Sequence, residues 1–160
     1  MLLVRYGAMG EIDQFRSPDT LMAGTTVVVE TARGPQLGIV IAKAKNGDAD
    51  ESASRPVLRV ANSEDQHAAE RLRLASQQAF PEWEARIQEW SVDLQLIDLE
   101  QTLDGSKQIL YVLNERGPES TKLALHAAAA GFGVIEVQPV GVEGVIANTG
   151  GGGCGSCRNK

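Results

Sequence analysis

The residue types best suited to chemistry lie together in the C-terminal segment TGGGGCGSCRNK. Cys154 and Cys157 form a C-x-x-C pair, a spacing that lets both sulfur atoms bind one metal ion or close one small disulfide. A structural zinc site needs four ligands, and iron–sulfur clusters are likewise held by about four thiolates. The pair therefore supplies half of a site. The other ligands would come from His67 and His126, from a second copy of the chain, or from a partner protein.

Two other interpretations of the cysteine pair stay open. Thiol–disulfide exchange of the thioredoxin kind needs its first cysteine at a helix N-terminus, where the pKa of the thiol is lowered. Four glycines precede Cys154, and they do not predict such a helix. The third interpretation is a flexible tail whose two thiols do nothing in the folded protein.

The remaining candidates are isolated side chains, and each has a structural interpretation. His67 and His126 fall on separate predicted helices, where we expect surface or boundary positions. Asp98 and Glu100 alternate with apolar residues, which predicts solvated carboxylates. Trp83 and Trp90 have helical spacing and are expected to anchor a core. The sequence contains no G-x-S-x-G, H-E-x-x-H or P-loop motif. We therefore expect a protein that is not an enzyme.

Composition restricts the classes of partner. The net charge is −6 and the pI is about 4.9, which argues against neutralisation of many phosphates, so direct nucleic-acid binding is not expected. No segment approaches the roughly 20 apolar residues that cross a bilayer. Two cysteines cannot form a disulfide framework. These features predict a cytoplasmic protein without membrane contact.

The element that organises the rest of the chain is a predicted β-hairpin from Val92 to Leu113. Its turn lies at Asp104-Gly105, which tolerates the positive φ angles of a tight turn. The apolar alternation changes phase at Leu96-Ile97, which predicts a β-bulge or a strand buried on both faces. Ser63 is predicted to cap a helix before the hairpin, with Gln66 completing a capping box. Pro81 either kinks that helix or begins a second segment, and Pro118 to Gly131 delimit another helix.

The order of elements predicts an α+β protein in two parts. Residues 1–45 contain short strands around a turn at Ala32 to Pro35, which indicates a small, highly bent sheet or barrel. Residues 46–55 are polar and without periodicity, as in a flexible linker. Residues 56–142 read β, α, β, β, α, β, the order of a ferredoxin-like (split βαβ) domain. Residues 143–160 form the Gly-rich, Cys-containing tail.

The sequence as a whole resembles the PSP C-terminal domain family (polymerase-suppressor type), whose bacterial members are the YaaT-like proteins. The similarity covers nearly the whole chain and depends on the shared order of several motifs. They are Val4 to Gly7, Met9 to Ile12, the hairpin VVVETARGPQLGIVI, Asn62 to Asp65, the segment LIDLEQTLDGSKQILYVL, Ile135-Glu136 with Gly141, and the Gly-rich tail with Cys154-Gly155. The chain departs from the family at Val134, Gln138 and Glu143-Gly144, where members carry arginines and an Arg-Asp pair. Residue-level similarity in the tail is limited to Cys154, Gly155 and Cys157.

The resemblance implies a regulatory protein without known catalysis. Members of the bacterial branch join complexes that control RNA processing or cell fate, and their cysteine tails are linked to iron–sulfur clusters. For this chain it implies protein partners, with a metal or cluster site at Cys154 and Cys157 that is shared between subunits or partners, and a homo-oligomer stays open. The alternatives are a thiol–disulfide redox protein that uses the same cysteines, and an RNA-binding module with Tyr111 as the aromatic on its sheet.

Overall fold

The computed structural model describes residues 1–45, 54–113 and 117–146. In chain order, the strands and helices are β1 (Leu2–Tyr6), β2 (Glu11–Arg16), β3 (Thr26–Thr31), β4 (Gly34–Lys43), β5 (Arg55–Val60), α1 (Ser63–Glu89), β6 (Gln95–Gln101), β7 (Lys107–Leu113), α2 (Pro118–Ala129), β8 (Val134–Gly141) and β9 (Gly144–Val145).

The N-terminal half forms a closed barrel with the strand order β1-β2-β5-β3-β4. Alternate residues of each strand point inward because successive side chains in a strand face opposite sides. They fill the barrel with Leu2, Val4, Tyr6, Phe15, Val27, Val29, Val40 and Val57. The interior is tight, since a Cβ atom added to Gly38 would lie 2.5 Å from Cγ1 of Val4. The predicted bent sheet or barrel is confirmed.

Strand β5 corrects the predicted ferredoxin-like arrangement. We assigned this strand to the C-terminal domain, but it pairs antiparallel with β3 and parallel with β2 inside the barrel. Val57 lies opposite Val29 and completes the apolar interior. A short apolar strand does not specify which sheet it joins, and closure of the barrel removes an unpaired edge. The split βαβ prediction is therefore wrong. Most of the predicted linker, residues 46–53, lies outside the described residues.

The second sheet has the order β6-β7-β8-β9. Strands β6 and β7 form the predicted antiparallel hairpin, and β8 runs parallel to β7 after the crossover through α2. The register shifts between Leu96 and Asp98, which confirms a bulge at Ile97. Because of this bulge, both Leu96 and Leu99 face the helices. With them, the core contains Trp83, Ile87, Val92, Leu110, Val112, Leu123 and Ala127.

Helix α1 begins at Ser63. Its N-cap residue is therefore Asn62, and the prediction that Ser63 is the cap is wrong. Asn62 Oδ1 accepts a hydrogen bond from the Asp65 backbone N–H at 2.9 Å, and Asp65 Oδ2 accepts from the Asn62 N–H at 3.1 Å. The capping box is thus Asn62 with Asp65, and Arg59 fixes the Asp65 carboxylate with two further hydrogen bonds. The helix continues through Pro81 and places Trp83, only 2% exposed, in the core.

None of the helices in the described ranges combines the length and the apolar character needed to cross a membrane.

Candidate functional site

The barrel and the second sheet meet at the turn between β3 and β4. Gly34 adopts a φ of +127°, and a Cβ atom there would lie 3.3 Å from Thr102 of the second sheet, so a larger residue would be both strained and crowded. The Leu103 backbone N–H donates to the carbonyl of Pro35 at 2.7 Å. The segment Ala32 to Pro35, predicted only as a turn, is therefore also the main docking element between the two halves.

Arg33 extends from this turn and connects three strands. Its side chain is only 9% exposed. Nη1 donates to Glu11 Oε1 at 2.5 Å, Nε donates to Glu136 Oε1 at 3.2 Å, and Nη2 donates to Gln138 Oε1 at 3.1 Å. Glu11 belongs to the barrel, whereas Glu136 and Gln138 belong to β8 of the second sheet. One guanidinium group therefore joins both halves of the molecule.

Glu100 forms a second polar link beside Arg33. Its carboxylate accepts hydrogen bonds from Tyr111 Oη at 2.7 Å, from Gln36 Nε2 at 2.7 Å and from the Ala8 backbone N–H at 3.0 Å. The expectation of a solvated carboxylate is wrong for Glu100, because its donors come from β7, β4 and the turn after β1. We call the set Glu11, Arg33, Gln36, Glu100, Tyr111, Glu136 and Gln138 the Arg33 junction.

Burial and charge together shift the pKa values of the groups in and beside the junction. Burial alone would lower the pKa of Arg33, but the hydrogen bond and charge of Glu11, with Glu136, raise it above its usual value. Burial raises the pKa of Tyr111 strongly, and the neighbouring Glu100 carboxylate raises it further. Burial, followed by the charge of Glu11, raises the pKa of Tyr6 to about 12. At neutral pH the guanidinium is therefore charged and both phenols are protonated.

A cleft of about 620 Å³ opens beside the junction, with Glu11, Asp13, Arg33, Arg55, Glu136 and Glu143 among its lining residues. Within it, Arg55 pairs with Asp13 at 3.6 Å, and Lys107 adds a second cation to Glu136 at 3.4 Å. The junction residues mostly satisfy one another. Chemically, the arrangement is suited to holding the barrel and the second sheet in one orientation.

The other residues that the sequence singled out do not belong to the Arg33 junction. Cys154 and Cys157 lie outside the described residues. His67 is exposed, while His126 is half-buried and stacks on Trp90 with ring centroids 5.3 Å apart, so both meet the surface or boundary expectation. In residues 1–45, 54–113 and 117–146, no three His, Cys, Asp or Glu side chains are placed to hold a metal ion.

Tyr111 removes the basis of the RNA-binding interpretation. We considered it as an aromatic on which a base could stack, but its side chain is 0% exposed and its hydroxyl is bonded to Glu100. The face of β7 that carries Tyr111 is covered by the barrel, since Arg33 lies 5.7 Å from the ring centroid. Periodicity showed that this strand is buried but not that the barrel covers one of its faces.

Comparison with known proteins gives the class of this chain. Residues 55–116 match the family described as the PSP1 C-terminal conserved region. The resemblance found in the sequence is confirmed over these residues. The matched region runs from β5 of the barrel to β7 of the second sheet and includes Glu100 and Tyr111 of the Arg33 junction.

The chain is also similar to one curated protein over most of its length. It is 30% identical over 132 residues to the stage 0 sporulation protein YaaT of Bacillus subtilis (strain 168). The alignment covers 81% of this chain and 48% of the relative, so the chain spans about half the length of that protein. Comparison with solved structures gives no significant match.

We expect Arg33→Met to destabilise the protein by about 3 kcal/mol, because it leaves Glu11 and Glu136 without their shared cation in a partly buried site. These carboxylates are 24% and 30% exposed, so water relieves part of the penalty. Denaturant unfolding followed by circular dichroism measures the change in the free energy of unfolding.

Arg73→Met is the matched control for this substitution. Arg73 forms a salt bridge with Glu70 on α1, and both side chains are more than half exposed. Water and salt screen exposed pairs of this kind, so we expect a small change. Equal midpoints for the two variants would contradict a stabilising role for the Arg33 junction.

The two tyrosines of the chain predict how stability depends on alkaline pH. The pKa of an unfolded tyrosine is about 10. In the folded protein, burial raises the pKa of Tyr6 to about 12 and also raises the pKa of Tyr111. Below pH 10 the tyrosines stay protonated in both the folded and the unfolded state, so the free energy of unfolding keeps its full value. As the pH rises above 10, only the unfolded state releases protons, so the free energy of unfolding falls.

Near-ultraviolet absorbance of tyrosinate, recorded against pH for the native protein and for the protein in guanidinium chloride, tests this expectation. Little tyrosinate should form near pH 10 in the native protein, and Tyr111→Phe should remove the more strongly shifted group. Complete ionisation near pH 10 with the fold intact would show that the hydroxyls are not buried as described.

Proposed function

We propose that this chain is a cytoplasmic, non-enzymatic regulatory adaptor that binds protein partners within a regulatory complex. The observation that carries the proposal is the 30% identity over 132 residues to a stage 0 sporulation protein. The PSP1 C-terminal conserved region supports it. The resemblance places such proteins in complexes that control RNA processing or cell fate. With a net charge of −6, we assign that role to protein contacts and not to direct RNA binding.

The Arg33 junction supports an adaptor of two fixed parts. Arg33 is bonded to Glu11 on the barrel and to Glu136 and Gln138 on the second sheet. A partner that contacts both halves then meets a preformed surface, and association does not have to order one half against the other. A second copy of this chain is one of the partners that the proposal includes.

We further propose that Cys154 and Cys157 provide two thiolate ligands to a zinc or iron–sulfur site. Thiolates are the ligands that both groups prefer, and both groups need about four. The proposal completes the site with ligands from a partner or a second copy. The competing use of the same pair, thiol–disulfide exchange, needs no metal and is decided by the cysteine experiment below.

Affinity purification of the tagged full chain from its native cell tests the adaptor proposal. We expect the same partner proteins in repeated purifications at a fixed ratio to the chain. Light scattering of the purified chain alone tests self-association. Arg33→Met should reduce the recovery of partners, because the two halves lose their fixed orientation, whereas Arg73→Met should not.

Circular dichroism of each variant must first show that it is folded at the temperature of the purification. Recovery of no partner with the unsubstituted chain would reject the adaptor proposal. Equal recovery with folded Arg33→Met would reject only the requirement for a rigid junction.

Anaerobic purification, followed by iron, zinc and sulfide analysis, tests the cysteine proposal. We expect bound metal that is lost in Cys154→Ser and in Cys157→Ser, with Ser156→Ala as a control in the same segment. A metal-free chain in its purified complex, with both variants still recovering partners, would reject the site. A metal-free chain that reduces a disulfide substrate through these thiols would favour the redox alternative.

A further inference from the structure

A second cleft, of about 440 Å³, lies where the barrel, α1 and β6 meet. Its volume falls within the range of about 300–1,000 Å³ that is common for small-molecule sites. The three elements contribute, among other residues, Gly7 and Ala8, then Leu72 and Ser76, and finally Asp98 and Glu100. The described residues that line the cleft run from Gly7 to Leu103, and the cysteine proposal above uses none of them.

One part of the cleft is apolar. Leu37 of the barrel, Leu72 and Ala69 of α1, and Leu99 and Leu103 of the second sheet line it. Leu99 is also part of the helix-covered core, being 4% exposed. This wall is therefore held by well-packed neighbours and can cover the apolar body of a ligand.

The buried hydroxyl of Ser76 gives the cleft an unsatisfied polar group. Ser76 is 4% exposed, and its Oγ has no hydrogen-bond partner among the described residues. A buried hydroxyl without a partner is unfavourable, and native proteins contain few of them. A polar group of a ligand in the cleft would give Oγ the partner that the protein does not provide.

The other polar groups that line the cleft include two carboxylates, Asp98 and Glu100. Glu100 has three donors for its two oxygens, and a carboxylate has about four lone-pair positions, so one acceptor position remains. Asp98 Oδ1 accepts from the Leu99 backbone N–H at 2.8 Å. The cation among the lining residues, Arg73, is bonded to Glu70 by two hydrogen bonds of 2.6 and 2.8 Å. The described lining therefore carries two carboxylates, while its cation, Arg73, is already paired.

We propose that this cleft binds a small organic cation, with an amidinium, guanidinium or ammonium end and an apolar body. The cationic end donates to Asp98, to Glu100 and to Ser76 Oγ, while the body lies against Leu72 and Leu99. A free metabolite and an arginine or lysine side chain of a partner protein share this chemistry, and the test below separates these two sources.

The test is a titration of ¹⁵N-labelled full-length protein with benzamidine and, separately, with benzamide, its neutral counterpart of nearly the same shape. We expect saturable shifts of the Ser76, Gln77 and Gln101 amides with benzamidine. Benzamide should bind about tenfold more weakly, because charge-assisted hydrogen bonds are roughly twice as strong as neutral ones. Titration with N-acetyl-arginine amide forms a third arm, and tighter binding of this probe than of benzamidine would identify a partner side chain as the source.

Two pairs of variants test whether Asp98 and Ser76 contact the bound benzamidine. Asp98→Asn should weaken benzamidine binding several-fold, whereas Asp13→Asn, the same change in the cleft beside Arg33, should not. Ser76→Ala should weaken binding without lowering the midpoint of thermal unfolding, since it removes an unpaired hydroxyl. Ser120→Ala removes the other unpaired buried hydroxyl of the described residues, on α2, and should neither weaken binding nor lower the midpoint.

Absence of saturable shifts with all three probes would overturn the proposal, as would equal affinity for benzamidine and benzamide. Binding that survives both Asp98→Asn and Ser76→Ala would also overturn it, because the cation would then occupy another site. These outcomes leave the adaptor proposal unaffected, since partner recovery is measured separately.

Discussion

The bonds from Arg33 to Glu11 and to Glu136 are the interaction on which the arrangement of the two halves depends. A guanidinium group is costly to bury without anions, and here carboxylates from both halves provide them. Glu136 lies 103 residues beyond Arg33 in the sequence, so the pair is a long-range contact that joins the barrel to the second sheet. The orientation of the halves is thus set by directional polar contacts, while apolar cores stabilise each half internally.

Polar contacts of this kind fix one orientation of the barrel on the second sheet, because their hydrogen bonds tolerate little displacement of either half. The Arg33 fork needs acceptors at the right positions on both sides, and Glu100 needs donors from the barrel and from β7. A shift of the barrel by one hydrogen-bond length would leave several buried groups unpaired at once. An apolar interface of the same size could slide more easily.

Local features of this fold could be predicted from the sequence, and long-range pairings could not. The hairpin of β6 and β7, the bulge at Ile97 and the N-terminal barrel follow from alternation and turn residues within short segments. The sheet that β5 joins, and the burial of Glu100 and Tyr111, depend on partners far away in the chain. A short apolar strand and an alternating carboxylate have the same local sequence signal whichever partner they find. The sequence placed Arg33 in a turn and Glu100 and Tyr111 on the hairpin, but it did not show that these three side chains meet.

Because β5 belongs to the barrel, the region of family similarity and the folded barrel have different boundaries along the chain. The region that matches the PSP1 C-terminal family begins at residue 55, at the first residue of β5. Excised at that point, the segment would lose β2 and β3, the two neighbours of β5, and would expose Val57, which faces the barrel interior. A gene fusion or domain exchange designed on the family boundary would cut through a closed barrel. Recombination of this chain is therefore expected to preserve the preceding barrel strands together with the matched region.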